Sequence, residues 1–153
     1  MANIVFNIAK GRVAELYDRV KSNDPANSAL ILIPIETSGL ESDATLIDAD
    51  TVAAVLAGAT NEQSTMGRKT LTDSDLAAIP APDDTNDRNE RSLPTVTWTA
   101  ASGNAISKIL VAYDPDTTGG TDANLVPLTM FDFAQTPSGA DIQMTTGVFF
   151  RAS

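Results

Sequence analysis

Apolar residues recur at helical spacing in one long stretch of this chain. Val13, Leu16, Tyr17 and Val20 fall at i, i+3, i+4 and i+7, and Lys10, Arg12, Glu15, Asp18, Arg19 and Lys21 occupy the other faces. That spacing predicts an amphipathic helix. Ser22-Asn23-Asp24-Pro25 ends it, because proline disfavours helical geometry in the residue before it. Arg19 and Lys21 sit in its last turn, where cations complement the helix dipole. A second helix is predicted over residues 49–57, with Asp48 or Asp50 as its cap. Val52, Val55 and Leu56 form its apolar stripe, and Gly58 suits the position just past its end.

Elsewhere the pattern is that of strands. Residues 29–35 are a continuous apolar run bounded by turn residues, as in a strand buried on both faces, and Pro34 places its end at an edge or bulge. Beyond Arg68 the chain reads as mostly β, with one helical turn at residues 74–78. Thr95-Val96-Thr97-Trp98-Thr99 alternates, so Val96 and Trp98 share one face and the threonines the other. Residues 106–113, 125–133 and 148–150 supply further strands, joined by segments rich in Gly, Pro, Asp, Asn and Thr. The fold class expected is α+β: a mainly antiparallel β-sandwich or small barrel with one or two N-terminal helices. Residues 80–94, which crowd Asp83, Asp84, Asp87, Arg88, Glu90 and Arg91, read as an exposed connection. They mark a boundary inside what is otherwise one compact domain over residues 1–153.

Composition narrows the chemistry. The chain has no cysteine and no histidine, so disulfides, thiolate nucleophiles, Cys/His zinc sites and histidine-based triads are all excluded. A hydrolase built on paired carboxylates survives that filter, but nothing singles out a pair. Twenty acidic residues against ten basic give a net charge of −10, which repels phosphate backbones and anionic lipid. Neither nucleic acid nor membrane is therefore expected as a partner. The opening Met-Ala-Asn-Ile-Val-Phe is too short an apolar run for a secretory signal and lacks a basic lead. No stretch reaches the roughly 18 apolar residues of a membrane span. Synthesis in the cytoplasm is the expectation.

Three features carry candidate chemistry. Asp114-Pro115-Asp116-Thr117-Thr118-Gly119-Gly120-Thr121-Asp122 places oxygens as the start of a calcium loop does, but Leu125 stands where the bidentate glutamate belongs. The competing reading is a glycine-rich turn whose aspartates bond their own backbone, and no cofactor or metal is expected. The first helix is the basic part of an acidic chain: residues 1–21 carry +2 and the rest −12. Lys10, Arg12 and Arg19 are therefore candidates for docking onto an acidic surface. Ile4, Val5 and Phe6 are β-prone and are candidates for strand addition to a partner's sheet edge, within a flexible segment over residues 2–8. Trp98, the single tryptophan, reads as core rather than a ligand platform. No phosphate-loop glycine motif is present.

Several phrases, taken in order, carry a resemblance. They are Phe6-Asn7-Ile8-Ala9-Lys10-Gly11-Arg12, Ala54-Val55-Leu56-Ala57-Gly58-Ala59-Thr60-Asn61-Glu62 and Arg68-Lys69-Thr70-Leu71-Thr72. Asp83-Asp84-Thr85-Asn86-Asp87-Arg88, Thr97-Trp98-Thr99-Ala100-Ala101 and Leu125-Val126-Pro127-Leu128-Thr129 follow. Together they resemble a group of small structural proteins of tailed bacteriophages, over nearly the whole chain and without a catalytic signature. The resemblance implies a virion protein with no enzymatic activity. Its first expectation is a capsid decoration, or cement, protein bound to the major capsid protein lattice, with homo-oligomerisation left open. A head–tail connector or tail component is the alternative. A receptor- or carbohydrate-binding β module is a further one, although Tyr17 and Tyr113 are all the tyrosine it would have.

Overall fold

A computed structural model of the chain describes residues 3–80, 85 and 89–152. Its main sheet has five antiparallel strands in the order β1-β7-β6-β2-β3. These are β1 (Asn3–Val5), β2 (Ala29–Glu36), β3 (Lys69–Leu71), β6 (Ile106–Asp114) and β7 (Val126–Gln135). β2 and β6 are the centre, and both are buried along nearly their whole length. That is why the sequence there is a continuous apolar run rather than an alternating one. Pro34 lies in β2 beyond the three residues that pair with β3, and the register shifts at Ile35/Glu36. The missing proline N–H therefore falls where no neighbouring strand needs it.

The second layer is a bent ribbon. β4 (Asn89–Leu93) pairs with β9 (Gly147–Ala152), and β5 (Val96–Trp98) pairs with β8 (Ile142–Met144). Pro94-Thr95 and Thr145-Thr146 form the joint between the two halves, where Thr146 N–H donates to Thr95 Oγ1 at 3.2 Å. The ribbon covers the sheet face that carries Phe131 and Phe133: Trp98 meets Phe133 with ring centroids 6.2 Å apart. Trp98 is buried, as its alternating strand predicts, and its indole N–H donates to Gly67 O at 3.0 Å.

Helix α1 (Val13–Lys21) buries Val13, Leu16, Tyr17 and Val20, the four residues of the predicted stripe. It is tied to the ribbon by three contacts of different kinds. The Tyr17 hydroxyl donates to Ser92 O at 2.8 Å, the Tyr17 ring packs on Phe149, and Arg91 donates twice to the Asp18 carboxylate at 3.0 and 2.6 Å. Short helices α2 (Asp43–Leu46) and α3 (Val52–Val55) follow β2, and α4 (Asp73–Leu76) follows β3 with a Thr72/Asp75 capping box. One buried apolar cluster runs from Phe6 to Phe149 and draws on both halves of the chain. Each large side chain in it contributes roughly 1.5–3 kcal/mol on leaving water.

Four expectations need correction. The second helix spans four residues, and Thr51, not Asp48 or Asp50, caps it by accepting from Ala54 N–H. Its first amides are met by backbone instead: Val52 N–H donates to Leu125 O and Ala53 N–H to Asp122 O. Gly58 does not cap that helix, whose last residue is Val55 with Leu56 as C-cap; it lies against the Glu41 carboxylate, where a Cβ would collide. Of the stretch 80–94, residues 81–84 and 86–88 lie outside the described residues, but 89–93 form strand β4, with Arg91 and Leu93 buried. The N-terminal segment is not a loose anchor: Asn3, Ile4 and Val5 pair with Phe131, Met130 and Thr129 of the chain's own sheet.

Candidate partner-contact surface

The sequence candidates divide sharply by exposure. Phe6 is 0% exposed, and its N–H donates to Leu128 O at 3.0 Å, so as folded it cannot touch a partner. Ile4 and Val5 are half-buried against the core. Lys10, Arg12 and Arg19 are exposed, but two of these cations share one carboxylate. Arg12 lies 3.7 Å and Arg19 3.0 Å from Glu15, one turn away on either side. Lys21 donates to Ile79 O. The basic face is therefore partly neutralised from within its own helix.

Two further cations, Arg68 half-buried and Lys108 buried, brace the chain. Arg68 bonds Glu62 (2.8 and 2.6 Å) and, with the other side of its fork, Asp122 (2.6 and 2.9 Å). These bonds hold the Arg68 guanidinium above its ordinary range and Asp122 below the usual carboxylate value. Lys108 reaches Asp43 of α2 at 2.8 Å and its cross-strand neighbour Asp132 at 3.3 Å. Burial alone would lower this ammonium, but the two carboxylates overcome it and raise its pKa. Burial pushes the Tyr17 phenol up to about 12.

In the Asp114–Asp122 loop the carboxylates face their own backbone rather than one another. Asp114 Oδ1 accepts from Asp116 N–H at 2.9 Å, and Asp116 Oδ1 accepts from Thr118 N–H and Oγ1 at 3.0 and 2.6 Å. The Thr118 bonds lower the Asp116 pKa, and Asp122 is held by Arg68. These are the contacts of the turn reading. Among the described residues no group of three or more carboxylates is placed to hold a metal ion. No helix among them is long and apolar enough to cross a membrane.

A feature that pattern reading missed lies between the layers. β7 and the β8–β9 joint leave an apolar groove of about 170 Å³ lined chiefly by Leu93, Phe131, Phe133, Met144, Val148 and Phe149. Val148 on its rim is 44% exposed, the one large hydrophobic left open to solvent among the described residues. The sequence showed apolar runs at 125–133 and 148–150, but not that the two strands stand apart and leave a slot.

Comparison with protein-family models, with curated proteins and with solved structures gives no match.

Proposed function

We propose that this chain is a non-enzymatic structural protein of a tailed-phage virion, acting as a decoration protein on the major capsid lattice. The observation that carries this reading is the bracing of the β body. Arg68, Arg91 and Lys108 each join segments more than 50 residues apart through charge-assisted hydrogen bonds, which are stronger than neutral ones. A small protein that clamps neighbouring subunits of a pressurised shell needs such stiffness. With many copies on a closed lattice, modest contacts per copy add up through multivalency. The whole-chain resemblance to phage virion proteins supports the same reading. So does the lack of histidine and cysteine, which removes the side chain most often used as a general base near neutral pH and the thiolate nucleophile.

The test is co-sedimentation of the purified chain with heads of the encoding phage emptied of decoration. Saturable binding with a stoichiometry fixed by the lattice supports the proposal. Binding only to isolated necks or tails favours the connector or tail alternative and defeats the decoration reading.

A further inference from the structure

A second recess lies on the sheet face that the ribbon does not cover. Thr70 of β3, Ile31 of β2 and Ala112 of β6 are cross-strand partners, and Asp114 stands two residues beyond Ala112. Their side chains therefore share one face, whereas Phe131 partners Ile109 on the other. The segment 115–125 folds back over the Asp114 end of that face. It is pinned there by Arg68 on the Asp122 carboxylate and by Ala53 N–H on Asp122 O. Between segment and strands is a cavity of about 220 Å³, with Ile31, Arg68, Thr70, Asp114, Asp122 and Leu125 in its wall.

The charges around it do not all find partners. Arg68 divides its fork between Glu62 and Asp122, and both Asp122 oxygens accept from it. Asp114 is left over. It is 8% exposed, and no cation pairs with it among the described residues. One of its oxygens accepts from Asp116 N–H at 2.9 Å, and the other has no hydrogen bond among the described residues. Buried carboxylates are ordinarily paired, so Asp114 is complementary to an incoming cation. Its chemistry narrows the guest. A calcium-like ion wants six or more oxygens, and no group of three carboxylates is assembled among the described residues. A guanidinium binds best through both oxygens of one carboxylate, and Asp116 N–H already occupies one. A lysine ammonium is a compact charge that a single oxygen can receive. Buried Ile31 and Leu125 give its methylene stem an apolar wall.

We infer that this cavity receives a lysine side chain of another protein, with its ammonium on Asp114. The inference rests on the proposed function in one respect: in the virion that lysine belongs to the capsid subunit.

The experiment titrates the labelled chain with the capped peptide Gly-Gly-Lys-Gly-Gly and follows backbone amide NMR shifts. Peptides with arginine or norleucine in place of the lysine, and calcium chloride alone, are titrated in parallel. Expected are saturable shifts confined to residues 68–71 and 112–125, with the arginine and norleucine peptides at least about fivefold weaker. Asp114→Asn keeps an acceptor for Asp116 N–H and removes only the charge, so the loop stands and lysine binding should fall by a similar factor. No saturable shifts, shifts elsewhere, equal affinity for the arginine peptide, or unchanged affinity in Asp114→Asn each overturn the inference. So does calcium that produces the same shifts at a tenth of the peptide concentration, because the guest would then be a metal ion. A dimer in sedimentation equilibrium that Asp114→Asn disperses also overturns it, because the lysine would then come from a second copy. Head binding separates the two proposals. Wild type and Asp114→Asn binding heads equally would remove the capsid lysine and leave the virion reading standing. Wild type that binds no heads defeats the virion reading, and the peptide titration still judges the cavity.

Discussion

Arg91 shows how much one side chain holds in place. Its guanidinium side chain is 7% exposed, bonds Asp18 twice, and lies 5.8 Å over the Tyr17 ring, so it fixes the ribbon to helix α1. Arg91→Ala should cost about 2 kcal/mol in urea unfolding, and Arg91→Lys should recover only part, because an ammonium lacks the fork. The titrating groups predict behaviour at both ends of the pH scale. Tyr17 has its folded pKa raised to about 12 from 10.0, so its neutral form is favoured by folding. That contribution is complete below 10.0 and is lost as pH rises through the folded value. Lys108, also raised, acts in the same direction above its ordinary 10.5. Phenolate absorbance from Tyr17 should therefore rise together with loss of near-UV circular dichroism; ionisation near pH 10 with the fold intact would contradict the burial argument. Asp122 works in reverse. Its pKa is lowered by Arg68 from 3.8, so its contribution is present above that value and is lost as pH falls through the folded one. Asp122→Asn should flatten the acid limb of the stability profile.

At the scale of elements, the N-terminal strand gives the sharpest mutational contrast. Phe6→Ala empties a fully buried site and should cost about 3–5 kcal/mol, whereas a polar residue at half-buried Ile4 should cost well under that. Thr51→Ala should cost about 1 kcal/mol through loss of the α3 cap. These sites also show where sequence reading worked and where it stopped. Helix α1 was legible because nine residues carry a full apolar stripe, and β2, β6 and β7 because their runs are long. β3 and β8 are three residues each and lack the alternating flanks that make the equally short β5 legible. β4 carries the sequence pattern of a loop because Glu90 and Arg91 look solvated; only the fold reveals that Asp18 and Arg151 neutralise them. The Ser42 cap of α2 is a local signal, its side chain accepting from Thr45 N–H. The groove has no local signal, since it arises from how β7 packs against the β8–β9 joint, with Leu93 from β4. Of the partner-contact candidates, Lys10, Arg12 and Arg19 are exposed, whereas the pairing of Arg12 and Arg19 with Glu15 and the burial of Phe6 depend on packing.

On the proposed reading, the whole molecule, a braced two-layer β body with net charge −10, attaches to a repeating lattice through many identical contacts. The helix face contributes less than its sequence suggests, because Glu15 already offsets Arg12 and Arg19. Reversing both arginines to glutamate should reduce head attachment modestly and mainly at low salt, where charges are least screened. The central claim is the location of the protein, and cryo-electron microscopy of purified virions carrying a tagged copy measures it directly. The decoration reading predicts tag density over the outer head surface, repeating with the symmetry of the capsid lattice. Density confined to the neck or tail, with a bare head surface, would contradict it.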